Sequence, residues 1–110
     1  MRLTSNDIAL IGQVYIILST ELNKRITVAD LIARVKLSEA KITQGFKQQY
    51  NSTIYHFHLL KRMEYARTLI SSGMQVQEVA DLLGYSEPAA FTRAFRRIYP
   101  NPPNHYRSEL

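Results

Sequence analysis

Residues 79–107 read VADLLGYSEPAAFTRAFRRIYPNPPNHYR, and this stretch decides the fold. Its first part predicts a short apolar helix followed by a turn at Gly84, because glycine is favoured where the chain turns sharply between two helices. A second helix is predicted behind Ser86, which is an N-cap candidate. Phe91 and Phe95 recur at a spacing of four on this helix and therefore share one face. A short helix, a tight turn and a longer helix together predict a helix-turn-helix unit.

The first half of the chain repeats this pattern. Its matching residues are Leu31-Ile32-Ala33, Leu37-Ser38, Ile42, Gln44 and Phe46-Lys47. We align Ala33 with Ala80 as the small residues at which two helices cross closely, and Leu37 with Gly84 in the turn. The step from the small residue to the aligned phenylalanine is 13 positions in the first copy and 15 in the second. The second turn is therefore predicted to be two residues longer.

Start and stop signals divide the chain into seven predicted helices. Thr4 and Thr27 each open a T-x-x-D pattern, a variant of the capping box. Asn51 and Gly73 stand where a helix should end. No stretch alternates with a period of two, so no strand is predicted. The predicted helices span residues 5–23, 27–34, 38–49, 53–72, 76–83, 87–98 and 103–108.

These helices indicate an all-α, homeodomain-like fold with two helix-turn-helix subdomains. We expect the first subdomain over residues 1–52, a long connecting helix over 53–72 and the second subdomain over 73–110. A plain helical bundle with two similar hairpins is the alternative interpretation. Two copies of the motif on a basic chain favour a nucleic-acid partner over that alternative.

The composition favours a folded domain with a polyanionic partner. The 110 residues are 45% hydrophobic and include 14 Lys and Arg against 9 Asp and Glu, for a net charge of +5. Residues 1–52 carry +3 and residues 53–110 carry +2, so both halves are basic. Such a surface suits nucleic acid or an anionic membrane face. The chain has no cysteine, which excludes a disulfide framework, a thiolate nucleophile and a Cys-ligated zinc site.

Residues 8–18 are apolar except for Gln13 and are the one candidate for a membrane or export segment. The run is far shorter than the ~20 residues that span a bilayer. Asp7 precedes it and no small-x-small cleavage site follows, which argues against a signal peptide. The spacing instead predicts the core stripe of an amphipathic helix. That stripe consists of Ile8, Ile11, Tyr15, Leu18 and Leu22.

Residues 79–107 resemble the second helix-turn-helix of the AraC/XylS family of bacterial transcription regulators. The family pattern is I-A-x-x-x-G-F, then F-x-R-x-F-K, then a proline-containing turn that ends in Y-R. The matching residues here are Val79-Ala80, Gly84-Tyr85, Phe91, Arg93, Phe95-Arg96, Pro102 and Tyr106-Arg107. With the first copy, and with Arg62, Ala66 and Leu69 in the connecting helix, the resemblance covers residues 5–108. The residues that depart from the family's common choices are Gln44, Asn51, Pro88 and Ala89.

The resemblance implies a sequence-specific, double-stranded DNA-binding transcription regulator whose two recognition helices enter successive major-groove segments. The predicted length of the connecting helix agrees with this, because about 30 Å at 1.5 Å per residue approaches the ~34 Å of one DNA turn. A helical protein-interaction module that docks on RNA polymerase or another acidic partner is the alternative function. Binding to random duplex DNA at low salt distinguishes the two.

The core-facing phenylalanines of each recognition helix leave the opposite face available to DNA. The predicted base-reading residues are Ala40, Thr43, Gln44, Pro88, Ala89, Thr92 and Arg93. Glutamine suits adenine, arginine suits guanine, and small methyl-bearing side chains suit the thymine methyl group. The predicted phosphate-binding residues are Ser38, Lys41, Lys47, Arg62, Ser86, Arg96 and Arg97.

These assignments have structural alternatives. Thr43 and Gln44 are also explained as solvated surface, and Arg93 as one half of an ion pair with an acidic residue of the short helix before it. Pro88 is also explained by its place in the first turn of a helix, where proline costs no hydrogen bond. Arg62 is either a phosphate ligand or a partner between helices.

The sequence shows no catalytic or metal-binding constellation. It lacks G-x-S-x-G, a P-loop and H-E-x-x-H, so we expect no enzyme and no cofactor. His56 and His58 are two positions apart, which separates them by roughly 200° around a helix and makes a shared metal unfavourable. We expect a bacterial, cytoplasmic, nucleoid-associated protein without a membrane partner. This chain is expected to be a monomer, and a dimer is an option if it is part of a longer protein.

Overall fold

The computed structural model describes residues 1–108, and its regular elements are six α-helices and one 3-10 helix. The α-helices are α1 (Ser5–Thr20), α2 (Val28–Val35), α3 (Glu39–Tyr50), α4 (Ile54–Ser71), α5 (Val76–Leu82) and α6 (Pro88–Ile98). The 3-10 helix spans Pro103–Ser108. The predicted all-α fold is confirmed, and the last of the seven helical segments is 3-10 rather than α. Residues 109–110 of the predicted second subdomain lie outside the described residues.

Side-chain caps begin the first three helices. Thr4 Oγ1 accepts from the Asp7 backbone N–H at 3.0 Å, and Asp7 Oδ2 accepts from the Thr4 N–H at 3.0 Å. Thr27 and Asp30 form the same box before α2, at 3.1 and 3.0 Å, and Ser38 Oγ caps α3. The first N–H groups of a helix have no intrahelical acceptor, so these side chains fix where each helix begins. Both predicted T-x-x-D boxes are confirmed.

Left-handed residues end several of the helices. Gly73 has a φ of 109° and Asn51 a φ of 56°, as the sequence predicts. Gly84 has a φ of 83°, and its counterpart in the first copy is Lys36, with a φ of 56°. Both lie nine positions after the N-cap of the preceding helix. The prediction of Leu37 for this place is wrong, because the bend comes one residue earlier and Leu37 is buried in the core at 9% exposure.

The alignment of Ala33 with Ala80 is also wrong. Counted from the N-caps of α2 and α5, Ala80 corresponds to Ile32. Ala80 is fully buried, whereas Ala33 is exposed. The step from the N-cap of the first helix to that of the second is 11 positions in the first copy and 12 in the second. Because α5 is one residue shorter than α2, the turns themselves are residues 36–38 and residues 83–87, and the predicted difference of two residues in turn length is confirmed.

The chain divides into two units, each with its own apolar core. The first unit comprises Met1–Glu21 and Arg25–His58, and the second comprises Leu22–Lys24 and the chain from Leu59 onward. The boundary falls within α4, whose first five residues belong to the first unit. The long helix expected at 53–72 is therefore divided between the two units.

The first unit packs α1, α2 and α3 around a mainly aliphatic core. The core residues are Ile11, Val14, Leu18, Ile26, Leu31, Val35, Leu37, Ile42, Phe46 and Ile54. Gly45 allows α3 to approach α1, because a Cβ atom added to it would lie 2.6 Å from Ile11 Cδ1. A glycine inside a helix is otherwise unfavourable, so its place here reflects packing.

The apolar run at residues 8–18 lies in α1 and is used for packing. Its buried residues are Ile11, Val14 and Leu18. Ile8 is 43% exposed, so the predicted core stripe is wrong at this position, where the buried face begins one turn later. Of the helices within residues 1–108, none is both long and apolar enough to cross a bilayer.

The second unit has a core that combines aliphatic side chains with three aromatic ones. The core residues are Leu59, Met63, Ala66, Ile70, Val79, Ala80, Leu83, Phe91, Ala94, Phe95 and Tyr106. The Arg67 guanidinium lies 5.0 Å from the Tyr99 ring centroid and 4.5 Å from that of Tyr106, a cation–π arrangement. In the turn before α6, a Cβ atom added to Gly84 would lie 2.8 Å from the Asn23 carbonyl oxygen. This turn therefore requires glycine both for its left-handed φ and for its close approach to that backbone.

Candidate nucleic-acid interface

The exposed side of α3 carries the predicted base-reading residues of the first unit. Ala40 and Gln44 are exposed, and Thr43 is half-buried. Thr43 Oγ1 donates to the Glu39 carbonyl at 2.9 Å, which leaves the threonine methyl group and the acceptor capacity of the hydroxyl for a ligand. The buried side of the helix consists of Ile42, Gly45 and Phe46. The structure therefore orients α3 with its small and amide side chains toward solvent.

Two predicted phosphate ligands near α3 already have partners in the fold. Ser38 Oγ accepts from the Lys41 backbone N–H at 3.2 Å. Lys41 Nζ lies 3.2 Å from Asp7 Oδ2, and the Asp7 side chain is 5% exposed against 40% for Lys41. The Thr4 backbone N–H, and then Lys41, lower the pKa of Asp7 against the opposing effect of burial. A phosphate at Lys41 would share its ammonium group with Asp7, whereas Lys47 is exposed at the other end of α3.

The corresponding side of α6 is also exposed. Ala89 and Arg93 are exposed, and Thr92 is half-buried between them. The buried side consists of Phe91, Ala94 and Phe95. The spacing of the two phenylalanines therefore predicts the orientation of α6 correctly, and the structure brings the predicted base-reading residues of this helix onto one face.

The start of α6 differs from the prediction. Its N-cap is Glu87 and its first helical residue is Pro88, so Ser86 precedes the cap and does not form it. Proline at the first helical position supplies a fixed φ and loses no hydrogen bond, which explains a start that needs no side-chain cap. Pro88 and Ser86 are both exposed.

Arg93 is not held by the acidic residues of α5. Glu78 accepts from the Gln75 backbone N–H at 3.2 Å, and Asp81 accepts from Gln77 Nε2 at 3.2 Å. Within residues 1–108, neither carboxylate forms an ion pair with Arg93. The structural alternative for Arg93 is therefore not realised, and its guanidinium is presented at the surface of α6.

Two further arginines extend the positive charge of α6 toward its C-terminus. Arg96 and Arg97 are exposed, and Arg96 Nη2 donates to the Pro100 carbonyl at 3.2 Å. Residues 87–107 hold four arginines against one glutamate, a net charge of +3. The surface of α6 is therefore strongly cationic, as a phosphate-lined partner requires.

Arg62 is a structural residue, which contradicts its predicted role as a phosphate ligand. Its side chain is buried, at 5% exposure. Nε donates to the Leu22 carbonyl at 3.2 Å, Nη1 donates to Tyr85 Oη at 3.3 Å, and Nη2 donates to the Leu83 carbonyl. A buried guanidinium must satisfy its donors inside the protein. Arg62 therefore links α4 to the turn after α5, as its alternative interpretation as a partner between helices predicts.

A groove beside α6 is a feature that the sequence reasoning misses. It has a volume of about 400 Å³ and is lined by Gln75, Val76, Gln77, Thr92, Pro102, Pro103, Asn104 and Arg107. Arg107 Nη1 donates to Gln75 Oε1 at 3.4 Å, and Nη2 donates to the Gly73 carbonyl at 3.3 Å. The Y-R end of the motif is the sequence signal that could have drawn attention to Arg107.

The histidines do not form a metal site. In the part of the chain that the structure describes, no group of three or more His, Cys, Asp or Glu residues is arranged to hold a metal ion. His58 is 3% exposed, with Nε2 2.9 Å from the Glu21 carbonyl and Nδ1 3.5 Å from the Ile26 backbone N. A backbone N–H only donates, so Nδ1 accepts and Nε2 carries the hydrogen that Glu21 accepts. His58 is therefore a satisfied core histidine.

The sequence matches the helix-turn-helix domain family over residues 31–109. The matched stretch begins within α2 and contains α3 and α6. The chain belongs to the AraC/XylS family of transcription regulators. The identity of the family confirms the resemblance that the Gly84, Phe91, Arg93 and Phe95 pattern indicates.

Relatives of this AraC/XylS chain agree in sequence and in fold. It is 35% identical over 86 residues to the probable transcriptional regulator LumQ of Photobacterium leiognathi, a match over 77% of this chain and 35% of that protein. The C-terminal domain of AraT, a response regulator from Geobacillus stearothermophilus, has the same fold, with a TM-score of 0.84 over 100% of this chain and 89% of that one at 21% identity. The DNA-binding domain of AdpA, a global transcriptional factor in complex with a target DNA, superposes with a TM-score of 0.79 over 90% of each chain at 25% identity.

This AraC/XylS chain corresponds to a DNA-binding region of a transcription regulator. It spans 35% of the length of LumQ and 38% of the Msm operon regulatory protein of Streptococcus mutans. The family and the relatives named here are transcription regulators rather than enzymes. The contact with RNA polymerase and the monomeric state stay predictions.

Proposed function

We propose that this AraC/XylS region binds double-stranded DNA sequence-specifically, with α3 and α6 each entering a major-groove segment. The observation that carries the proposal is an arrangement found in both units: a helix anchored by buried phenylalanine on one side and carrying small, amide or basic side chains on the other. An α-helix fits the major groove, and its exposed side chains reach base edges there. Two such helices allow one chain to read two segments.

The exposed side chains suit particular bases. Gln44 presents a donor and an acceptor that match the N6 and N7 edge of adenine, and Arg93 presents two parallel donors that match O6 and N7 of guanine. Ala40 and Ala89 offer methyl groups to thymine. The remaining proposed base-reading residues, at the margins of the two faces, are Thr43, Pro88 and Thr92.

The proposed phosphate contacts surround these faces. Lys47, Arg96 and Arg97 are exposed cations near the C-terminal ends of the reading helices, and they suit the strands that border a major groove. Ser38 and Ser86 lie just before the helices, where a hydroxyl reaches a phosphate oxygen. Lys41 is proposed as a weaker contact because it already pairs with Asp7.

Selection of bound sequences from random duplex DNA tests the proposal. We expect two short enriched motifs about 10 base pairs apart, centre to centre. One continuous short motif would show that a single helix reads bases. Absence of enrichment, together with no binding of the folded protein to random duplex at low salt, would overturn the proposal in favour of a protein-interaction module.

The same proposal predicts a strong dependence of affinity on salt. Each neutralised phosphate releases condensed counterions, so the logarithm of the binding constant should fall linearly with the logarithm of the salt concentration, by about 0.9 per phosphate. A slope near zero would contradict a phosphate-bound complex.

We also place the protein where such DNA is found, in the bacterial cytoplasm at the nucleoid. We expect one chain to bind each DNA site, and analytical ultracentrifugation of the complex tests this stoichiometry.

A further inference from the structure

The groove beside α6 has the chemistry of a site for an anion attached to an apolar scaffold. Its eight lining residues include one charged side chain, Arg107, and four uncharged polar ones. Val76, Pro102 and Pro103 contribute apolar walls. The carboxylates of α5 do not line the groove, although Glu78 accepts from the Gln75 N–H and Asp81 accepts from Gln77 Nε2.

Arg107 is held in the groove without being neutralised. Its two contacts, with Gln75 Oε1 and the Gly73 carbonyl, are to uncharged oxygens at 3.4 and 3.3 Å. Its Nε is buried and has no hydrogen-bond partner among the residues described. A guanidinium has five N–H donors, and because Nε is buried, the donors that remain for a ligand are the further N–H groups of Nη1 and Nη2. Such a group binds phosphate oxygens well.

The groove adjoins the face of α6 that carries the proposed base-reading residues. Thr92 belongs to both, because it lines the groove and lies three positions after Ala89 and four before Arg96 on the same side of the helix. A helix in the major groove is bordered on each side by a sugar–phosphate strand. The groove is therefore placed to meet one of those strands when α6 reads bases.

We propose that this groove binds the sugar–phosphate backbone of one DNA strand, with Arg107 as a phosphate ligand. The prolines and Val76 would pack against deoxyribose, and the side chains of Thr92 and Asn104 would donate to phosphate oxygens. A contact of this kind fixes how α6 is oriented in the major groove without reading sequence. The inference rests on the proposed function, because it requires α6 to be in that groove.

The Arg107 contact is tested by combining the Arg107→Gln substitution with neutralisation of single phosphates in the DNA. The operator from the selection is synthesised with one neutral methylphosphonate at a time, and each duplex is titrated with the wild-type protein and with Arg107→Gln. We expect Arg107→Gln to lower affinity for operator and for random duplex alike, by about five- to tenfold at 0.1 M salt, and to reduce the salt slope by about 1. One phosphate bordering the α6 half-site should weaken wild-type binding when neutralised but have no further effect on the variant.

Asn104→Asp is a second variant, and it leaves the Arg107 side chain itself in place. Asn104 is exposed, and a carboxylate there should repel the phosphate and also weaken binding to any duplex. Gln13→Glu, on the exposed side of α1 in the first unit, makes the same change in net charge and is the matched control. Thermal unfolding of each variant shows whether it is folded. If Arg107→Gln is not folded, the affinity of Asn104→Asp for DNA decides whether the groove binds the backbone.

The outcomes separate this inference from the function on which it rests. If the wild-type protein binds no duplex, the proposed function fails. If the wild-type protein binds but Asn104→Asp matches Gln13→Glu, and every methylphosphonate affects the wild type and folded Arg107→Gln equally, the groove does not hold the backbone. If inorganic phosphate binds in the groove but Asn104→Asp has no effect on DNA affinity, the proposal is likewise overturned, in favour of a small-anion site.

Discussion

Lys36 and Gly84 occupy the same place in the two helix-turn-helix units, and both are left-handed. A side chain makes that conformation unfavourable by roughly 1–2 kcal/mol, whereas glycine adopts it freely. We therefore expect Lys36→Gly to raise the free energy of unfolding by about 0.5–1 kcal/mol. Gly84→Ala should lower it by at least about 1–2 kcal/mol, since its Cβ would also meet the Asn23 carbonyl. Urea denaturation measures both changes.

The control for Lys36→Gly is Lys36→Ala, which removes the long side chain and keeps the backbone strain. A gain confined to the glycine variant supports the backbone explanation. An equal gain from alanine would assign the effect to the lysine side chain instead.

Asp7 should make stability depend on acid pH. Its pKa is lowered in the folded protein by the Thr4 N–H and by Lys41, so its contribution is fully present above the ordinary carboxyl pKa of about 4. It is lost as the pH falls through the lower, folded-state value. Asp7→Asn should therefore reduce stability at pH 7 and flatten the stability curve below pH 4. Chemical denaturation between pH 2.5 and 7 measures this.

Asp30→Asn is the matched control, because Asp30 forms the same capping box in an exposed position. Asp7 is buried and also pairs with Lys41, so its replacement should cost more at pH 7. Equal losses for the two variants would show that the ion pair and the burial contribute nothing beyond the cap.

Arg62 and Arg96 should separate folding from DNA contact. Arg62→Gln leaves the Leu22, Leu83 and Tyr85 acceptors without their partner, so we expect a loss of roughly 2–4 kcal/mol in stability and an unchanged salt slope wherever the variant is folded. Arg96→Gln should leave stability nearly unchanged and reduce the salt slope by about 1. A normal melting temperature with a reduced slope for Arg62→Gln would restore the phosphate assignment.

At the scale of elements, the approach of α3 to α1 depends on Gly45. Replacing a helical glycine by alanine usually stabilises a helix by up to about 1 kcal/mol. At Gly45 the added Cβ would meet Ile11 Cδ1, which is fully buried, so we expect Gly45→Ala to destabilise the first unit by about 1–3 kcal/mol. Gly12→Ala is the control, because its Cβ would find only Tyr50 Oη at 3.9 Å and should stabilise α1. Thermal unfolding measures both.

A second substitution distinguishes packing from other effects of Gly45→Ala. Ile11→Val removes the Cδ1 atom that the new Cβ would meet, so the double variant should be more stable than the sum of the two single losses predicts. Strict additivity would show that the two residues do not interact and that the loss has another cause.

The sequence predicts those elements whose signals are local. The capping threonines, the left-handed Gly73 and Asn51, and the phenylalanines four positions apart each act within one turn, so their helices and exposed faces can be read from the sequence. The alignment of the two copies went wrong because it relied on one small residue, Ala33, where the N-caps give the correct register.

The partners of the candidate site residues are long-range and could not be predicted in this way. Arg62 is 40 positions from Leu22, and Lys41 is 34 positions from Asp7. Arg107 contacts Gln75 across 32 positions, which is why the groove beside α6 has no signature in either helix alone. The charge of each candidate site residue, and for most of them the exposure, can be predicted from the sequence. Their hydrogen-bond and ion-pair partners depend on which distant segments the fold brings together.

At the scale of the whole molecule, the proposal of one reading helix in each basic half predicts two separable contributions to specificity. The halves carry +3 and +2, so neither motif depends on the other for its positive charge. Side chains on different units that share no partner should contribute nearly additively to binding. Gln44 and Arg93 are the residues with which to measure this.

We expect Gln44→Ala and Arg93→Ala each to cost about 1–3 kcal/mol of binding and to relax preference at one base pair, in half-sites about 10 base pairs apart. The double variant should lose the sum within about 0.5 kcal/mol while keeping the salt slope of the wild type, provided the phosphate contacts are intact. Repeating the selection with each variant shows which motif loses its preferred base. If Arg93→Ala abolished both motifs while Gln44→Ala changed neither, α6 alone would be reading sequence and α3 would serve as a backbone anchor.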